Sequence, residues 1–368
     1  MKKLRVTVAG PLALLLVSGV AIGLFAVKKY PEWQDRRYFS TACSGYVDHA
    51  EMQSFLSSER LIRVPVWLED GTLEEHCRIE SRDGPPGGVS VMLGWADEAG
   101  KRAGLRHEAG YAFYSPLPNN AAGFVNSNED GSEVRVVLFL ECDIAERHIM
   151  AQIVGQRDES SGVNLGGEET SALGQIAVGT AQRMGEAYGC APNAAFDAQE
   201  LDESYLITKI LTNGSSAQSA SEADGTCRSL KQEVSSLEEL QIRAVLESPS
   251  GRSPVESCLL LADEGEEYWL TSWYGPFAQE LVIARDTTRF IESRDHGVAS
   301  DPSWAMRVWG SGECSAPFAT AKYALRAGTS DSSEASYTEA ELAAQRKLLN
   351  VFAAESAERH GCKELALP

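Results

Sequence analysis

Ser132–Cys142 reads SEVRVVLFLEC, and Ser303–Cys314 reads SWAMRVWGSGEC. Both stretches end in Glu-Cys, and an offset of 172 lays Arg135 on Arg307 and Glu141 on Glu313. The same offset carries Gly189-Cys190 onto Gly361-Cys362, each at the end of a helical stretch. Val134 to Leu140 is a nearly continuous apolar run, the pattern of a strand covered on both faces. Two copies of one unit are therefore written into the chain.

The other cysteines extend the match. Cys43, Cys77, Cys142 and Cys190 are spaced 34, 65 and 48 residues apart, while Cys227, Cys258, Cys314 and Cys362 are spaced 31, 56 and 48. Repeated spacing of this kind marks a tandem duplication. Ile62-Arg63 lies 15 residues before Cys77 and Ile242-Arg243 lies 16 before Cys258. Trp95 aligns with Trp273 when a gap of three residues is allowed.

Each copy has the same coarse order. A short helix follows the first cysteine (Gly45–Leu56 and Leu230–Leu240), then an extended segment, a turn and a strand holding the second cysteine. Glu69-Asp70-Gly71 between apolar runs is a hairpin signal. More strands are predicted near Val89–Trp95 and Tyr268–Trp273. Each copy closes with an amphipathic helix, carrying Leu173, Ile176, Ala177, Thr180 and Met184 in one, and Leu342, Leu348, Leu349 and Phe352 in the other. Thr338 and Glu341 form a capping-box signature at the start of the second. The expected class is α+β: an antiparallel sheet covered by helices, occurring twice and stapled by disulfides. The boundaries fall at 38–192 and 226–368, with a polar, Ala/Ser-rich linker at 193–225.

Composition sets the class and the compartment. The chain has 368 residues, of which 43% are hydrophobic and 23% charged, which excludes collagen-like, low-complexity and globally disordered proteins. Residues 1–30 are read as a short tail and a membrane anchor, because Val6 to Val27 is a run of 22 residues without a charge. A helix of that length reaches about 33 Å, enough for a hydrocarbon core of ~30 Å. A cleaved signal peptide is the alternative, with Ala21-Ile22-Gly23 as a weak cleavage site. Basic residues flank the run on both sides, so the positive-inside rule does not orient it. The even cysteine count does: paired thiols persist in oxidising compartments, which places the bulk of the chain outside the cytoplasm. The net charge is −20, and residues 1–27 carry +3, leaving −23 on the remainder. Such a surface repels nucleic acid, which is excluded as a partner.

Four cysteines per copy allow three pairings. The favoured one joins Cys43 to Cys77, Cys142 to Cys190, Cys227 to Cys258 and Cys314 to Cys362. It ties each opening helix to its hairpin and each buried strand to the end of its covering helix. Each closed loop is expected to contribute about 3–4 kcal/mol in the chain-entropy model.

Motifs of catalysis are absent. There is no G-x-S-x-G, H-E-x-x-H, P-loop or G-x-G-x-x-G, and no short C-x-x-C pair for a metal. No catalytic, cofactor or metal residue is assigned. None of His49, His76, His107, His148, His296 and His360 recurs at the matching place of the other copy. Asp263-Glu264-Gly265-Glu266-Glu267 lacks EF-hand spacing and reads as a solvated turn. Arg63/Arg243 and Arg135/Arg307 read as partners of acids beside the sheet, with Glu141/Glu313 as candidates.

The most unusual stretch is YWLTSWYGPF, Tyr268 to Phe277. As a strand it puts Trp269, Thr271 and Trp273 on one face and Tyr268, Leu270, Ser272 and Tyr274 on the other. It reads either as a sandwiched core strand or as an aromatic contact surface built from Trp269, Trp273 and Tyr274.

ACSGYVDHAEM after an N-terminal anchor, a strand ending LFLEC, and helices ending EAYGC and ERHGC together resemble a group of proteins. These are uncharacterised, membrane-anchored extracytoplasmic proteins of actinobacteria in which such a four-cysteine unit appears once or twice. The resemblance implies location and duplication and brings no activity. The leading expectation is a single-pass envelope protein whose two non-catalytic modules bind an extracytoplasmic protein or envelope component. The alternatives are an envelope hydrolase using carboxylates, or a structural subunit packing through Gly10, Ser18, Gly19 and Gly23 of the anchor.

Overall fold

The computed structural model describes residues 42–64, 75–96, 114–118, 121–128, 131–142, 147–157, 165–190, 201, 217–251, 253–263, 266–279, 296–298, 306–315, 319–327 and 337–368. The expected anchor Val6–Val27, the turn at 69–71 and linker residues 202–216 lie outside them. Among the described residues no helix is long and apolar enough to cross a membrane.

The protein is α+β, with two antiparallel sheets. β1 (Leu61–Val64), β2 (Glu75–Ser81), β3 (Gly87–Trp95), β4 (Tyr114–Pro116), β5 (Gly123–Ser127), β6 (Glu133–Cys142) and β7 (Arg147–Arg157) form the first, in the order β1-β2-β3-β7-β6-β5-β4. The second contains β8 (Ile242–Glu247), β9 (Val255–Ala262), β10 (Glu267–Tyr274), β11 (Gly297–Val298), β12 (Met306–Cys314) and β13 (Thr320–Ala327), in the order β11-β12-β13-β10-β9-β8. Read from its other edge, that order repeats the first sheet strand for strand as far as β5. β14 (Cys362–Ala366) adds to β12.

Helices follow the same plan. α1 (His49–Leu56) and α2 (Gly167–Tyr188) belong to the first half, and α3 (Val234–Glu239), α4 (Pro276–Gln279) and α5 (Glu339–His360) to the second. Asp48 caps α1 by accepting from Ala50 N and Glu51 N at 2.7 and 3.0 Å. The expected box at α5 is formed: Glu341 N donates to Thr338 Oγ1 at 3.1 Å, and Thr338 N to Glu341 Oε2 at 2.6 Å. α2 and α5 end on Gly189 and Gly361, with φ of 69° and 66°, left-handed positions that favour glycine. All four expected disulfides are formed, Cys43–Cys77, Cys142–Cys190, Cys227–Cys258 and Cys314–Cys362, and no cysteine is free.

Hydrogen-bond register refines the alignment of the halves. Cys77 lies opposite Val91 and Cys258 opposite Leu270. Four residues further along are Trp95 and Tyr274, so Trp95 corresponds to Tyr274 and not to Trp273. The contacts agree. Trp95 packs on Tyr188 of α2 with ring centroids 5.7 Å apart, and Tyr274 stacks on His360 of α5 at 3.7 Å. Arg243 and Arg307 sit at bulges, between Ile242 and Ala244 and between Met306 and Val308. Arg135 pairs with Glu133 at 3.0 Å, and Arg243 with Asp263.

The halves are joined through their sheets. Val91, Val136, Ile149 and Ile153 face α2, packing with Leu173, Ile176 and Met184. Cys258, Leu270, Val308 and Leu325 face α5, packing with Leu348, Leu349 and Phe352. The opposite faces meet in one buried cluster: Met92, Tyr114, Phe124, Val137, Phe139 and Met150 from the first sheet pack with Val255, Trp273, Phe277, Trp309 and Ala324 from the second half. The layers therefore run helix, sheet, sheet, helix. Phe277, 2% exposed, is the wedge, edge-on to Phe124 and Phe139 at 5.5 and 5.4 Å. Ser248 Oγ donates to Tyr114 O at 2.9 Å across the same seam.

Phe277→Ala is expected to destabilise the protein by about 3–5 kcal/mol, from lost burial plus the cavity left behind. Denaturant unfolding followed separately in each half should show both transitions move together. A second half that melts alone, with the first unaffected, would show that the seam does not couple them.

Candidate binding groove

The two sheets cover each other only in part. The face of the first sheet that meets the second continues, at one end, into an open groove of about 520 Å³. Alternation along β2 supplies its first wall: Cys77 and Ile79 point into the helix-side core, which turns Arg78 and Glu80 to the other face. β6 and β7 supply Glu133 and Gln156 on that face, and Arg157 borders the groove at the end of β7.

These side chains interlock. Arg78 Nε donates to Glu80 Oε1 at 2.7 Å, and its Nη1 donates to Gln156 Oε1 at 2.7 Å. Gln156 Nε2 donates to Glu133 Oε2 at 2.7 Å, and Arg135 Nη2 donates to Glu133 Oε1 at 3.0 Å. The chain of bonds thus crosses from β2 to β6 and fixes each head group. Arg157 donates through Nη2 to Phe55 O at 3.2 Å, and its guanidinium lies 5.6 Å from the Phe55 ring centroid. The floor is Gly87-Gly88. A methyl group on Gly87 would stand 2.7 Å from Gln156 O, and one on Gly88 would stand 3.1 Å from Glu80 Cγ and 3.5 Å from Arg78 Nη2. Glycine at 88 leaves room for the Arg78 and Glu80 side chains, and glycine at 87 for the close approach of β7.

The described residues of the second half differ at this place. Register places Leu259, Leu261 and Trp269 where the first half has Arg78, Glu80 and Ser90. Trp269, Leu259 and Leu246 form a small buried cluster, with Ala217 packed against it. An apolar plug stands where the first half has an open polar surface.

The aromatic surface expected at Trp269, Trp273 and Tyr274 is corrected by burial. Their exposures are 1%, 1% and 0%. The reason is position: β10 is an inner strand between β9 and β13, with α5 over one face and the inter-sheet core over the other. This is the sandwiched-strand reading, and these three residues offer no contact surface.

A second constellation lies under α5. Glu256, 0% exposed, is held by Arg359, whose Nη2 and Nε reach Glu256 Oε2 and Oε1 at 2.8 and 3.3 Å. Ser356 Oγ donates to Glu256 Oε2 at 2.5 Å and also meets Tyr274 Oη and Ser272 Oγ. His360 places Nδ1 2.9 Å from Ser356 O and Nε2 2.8 Å from Ser253 O. The imidazole therefore meets main-chain carbonyls and not the Ser356 hydroxyl, so this is no nucleophile-base pair. Burial pushes the His360 pKa below 6.5, and it pushes Tyr274 well above 10.0, with the Glu256 charge adding to the rise. The cluster clamps helix to sheet. At the matching positions the first half has Leu93 and Met184 for Ser272 and Ser356.

Among the described residues no group of His, Cys, Asp and Glu could hold a metal ion. No family model, curated protein or solved structure matches the chain.

Two outcomes are expected for the clamp. Arg359→Met alone should cost about 3–5 kcal/mol by stranding the Glu256 charge, and adding Glu256→Leu should recover most of it, measured by urea unfolding. Because His360 has a depressed folded pKa, its contribution is complete above the unfolded value of 6.5 and is lost as pH falls below it. The loss of unfolding free energy between neutral and mildly acidic pH should shrink in His360→Gln. An unchanged slope would remove His360 from the acid response.

Proposed function

We propose that the protein is a membrane-anchored, extracytoplasmic, non-catalytic binding protein, a duplicated unit in which the first half carries the binding site. The groove over Gly87-Gly88 carries this reading, because its head groups are held in place before any ligand arrives, the arrangement that lowers the ordering cost of binding. The duplication is supported by the repeated strand order, helix ends and disulfides. The location is supported by the uncharged run at 6–27 and by eight paired cysteines. The partner is an envelope component or an extracytoplasmic protein.

The hydrolase reading draws on Glu80 and Glu133, which line the same groove. Against it, both carboxylates are tied to arginines within the chain of bonds, at 2.7 and 3.0 Å. Glu51, whose pKa burial raises, lies beside Arg183 and is not part of the groove lining.

Full-length protein should stay with membranes after carbonate washing, and protease added to intact spheroplasts should digest its bulk. In detergent it should co-sediment with purified envelope material, and Glu133→Gln with Gln156→Ala should weaken this without release of reaction products. Co-sedimentation indifferent to those changes would displace the groove as the binding site. Product release dependent on Glu80 and Glu133 would establish the hydrolase.

A further inference from the structure

The groove's unspent hydrogen-bonding capacity indicates what it binds, on the reading above that it is a binding site. Glu133 uses both oxygens internally, on Gln156 and Arg135. Arg78 uses Nε and Nη1, leaving Nη2 directed over the Gly88 floor. Its side chain is 35% exposed and that of Glu80 33%, so both are pinned yet open to a solute. Arg157 lies at the rim, its guanidinium turned to Phe55 of α1 on the helix side of the sheet, so Arg78 is the arginine that meets a solute. Against a net charge of −20, a concavity with a pinned, exposed guanidinium donor to spare on Arg78 is the place where an anion is accepted.

The lining separates classes of ligand. A protein partner needs buried aromatic or aliphatic anchors, and none lines this groove beyond Pro86. Among the described residues the large hydrophobic side chain left exposed is Val234, in the other half. Single-stranded nucleic acid needs stacking platforms, which the lining also lacks. Guanidinium forks suit planar carboxylates, and the second oxygen of Glu80, with no bond to it from Arg78, can accept from a sugar hydroxyl. We infer that the groove takes an acidic saccharide, its sugar carboxylate on Arg78 and ring hydroxyls on Glu80.

The test is titration calorimetry on full-length protein in detergent, with trigalacturonate as the probe and its methyl ester as the uncharged control. The acid should bind, and the ester should bind at least about tenfold more weakly, the worth of one charge-assisted hydrogen bond. Arg78→Gln should weaken the acid by a similar factor with its melting temperature retained. Should that variant not fold, the wild-type protein still decides: affinity must fall steeply as salt is raised to ~1 M. Equal binding of acid and ester overturns the acidic class while leaving the groove a binding site. Acetate binding as tightly as the trimer overturns the saccharide and leaves the carboxylate. Failure of the folded protein to bind the trimer overturns this inference, and the groove as a site then stands or falls on the envelope co-sedimentation of Glu133→Gln with Gln156→Ala.

Discussion

A sheet has two faces, and each half of this protein supplies one long helix to cover one of them. That shortfall governs the architecture. α2 and α5 cover the outer faces, and the inner faces, bearing Phe124, Phe139, Trp273 and Trp309, must cover each other. At roughly 25 cal/mol per Å² of apolar surface removed from water, leaving two such faces wet would cost more than a domain of this size has in reserve. The two halves thus become one molecule with a shared core.

Much of this was legible in particular residues. The matching cysteine intervals marked the two halves, and of the three pairings each allows, the one favoured, opening helix to hairpin and buried strand to covering helix, is the one formed. VVLFL at 136–140 announced a strand buried on both faces. What occupied the second face was not legible, because apolar side chains record burial without naming the partner. The same ambiguity attended Trp269 and Trp273, since a binding patch and a core strand use the same residues. The alignment of Trp95 was one residue out because sequence counts positions, whereas strands align through opposite cysteines.

The groove had a signal that single-strand reading overlooks. Arg78 and Glu80 alternate with Cys77 and Ile79, while the second half continues as Leu259, Leu260 and Leu261 after Cys258. Charge in one half, at the register position of leucine in the other, marks the face that is open. The Glu256 clamp is the reverse case: hydroxyls replace Leu93 and Met184 in a buried layer, and only the fold shows that Arg359 and Glu256 meet there.

All four disulfides close within a half, and none crosses the seam. Covalently the protein is two bodies on a string; in its packing it is one. Under tension the two respond differently. A pull that separates the halves works against the Phe277 wedge and its neighbours alone, whereas inside each half the segments of 31 to 48 residues between bonded cysteines cannot lengthen at all. The seam is thus the place where the halves part, while most of the groove, from Arg78 to Glu133, lies between Cys77 and Cys142, outside both closed segments, and rests on its sheet hydrogen bonds.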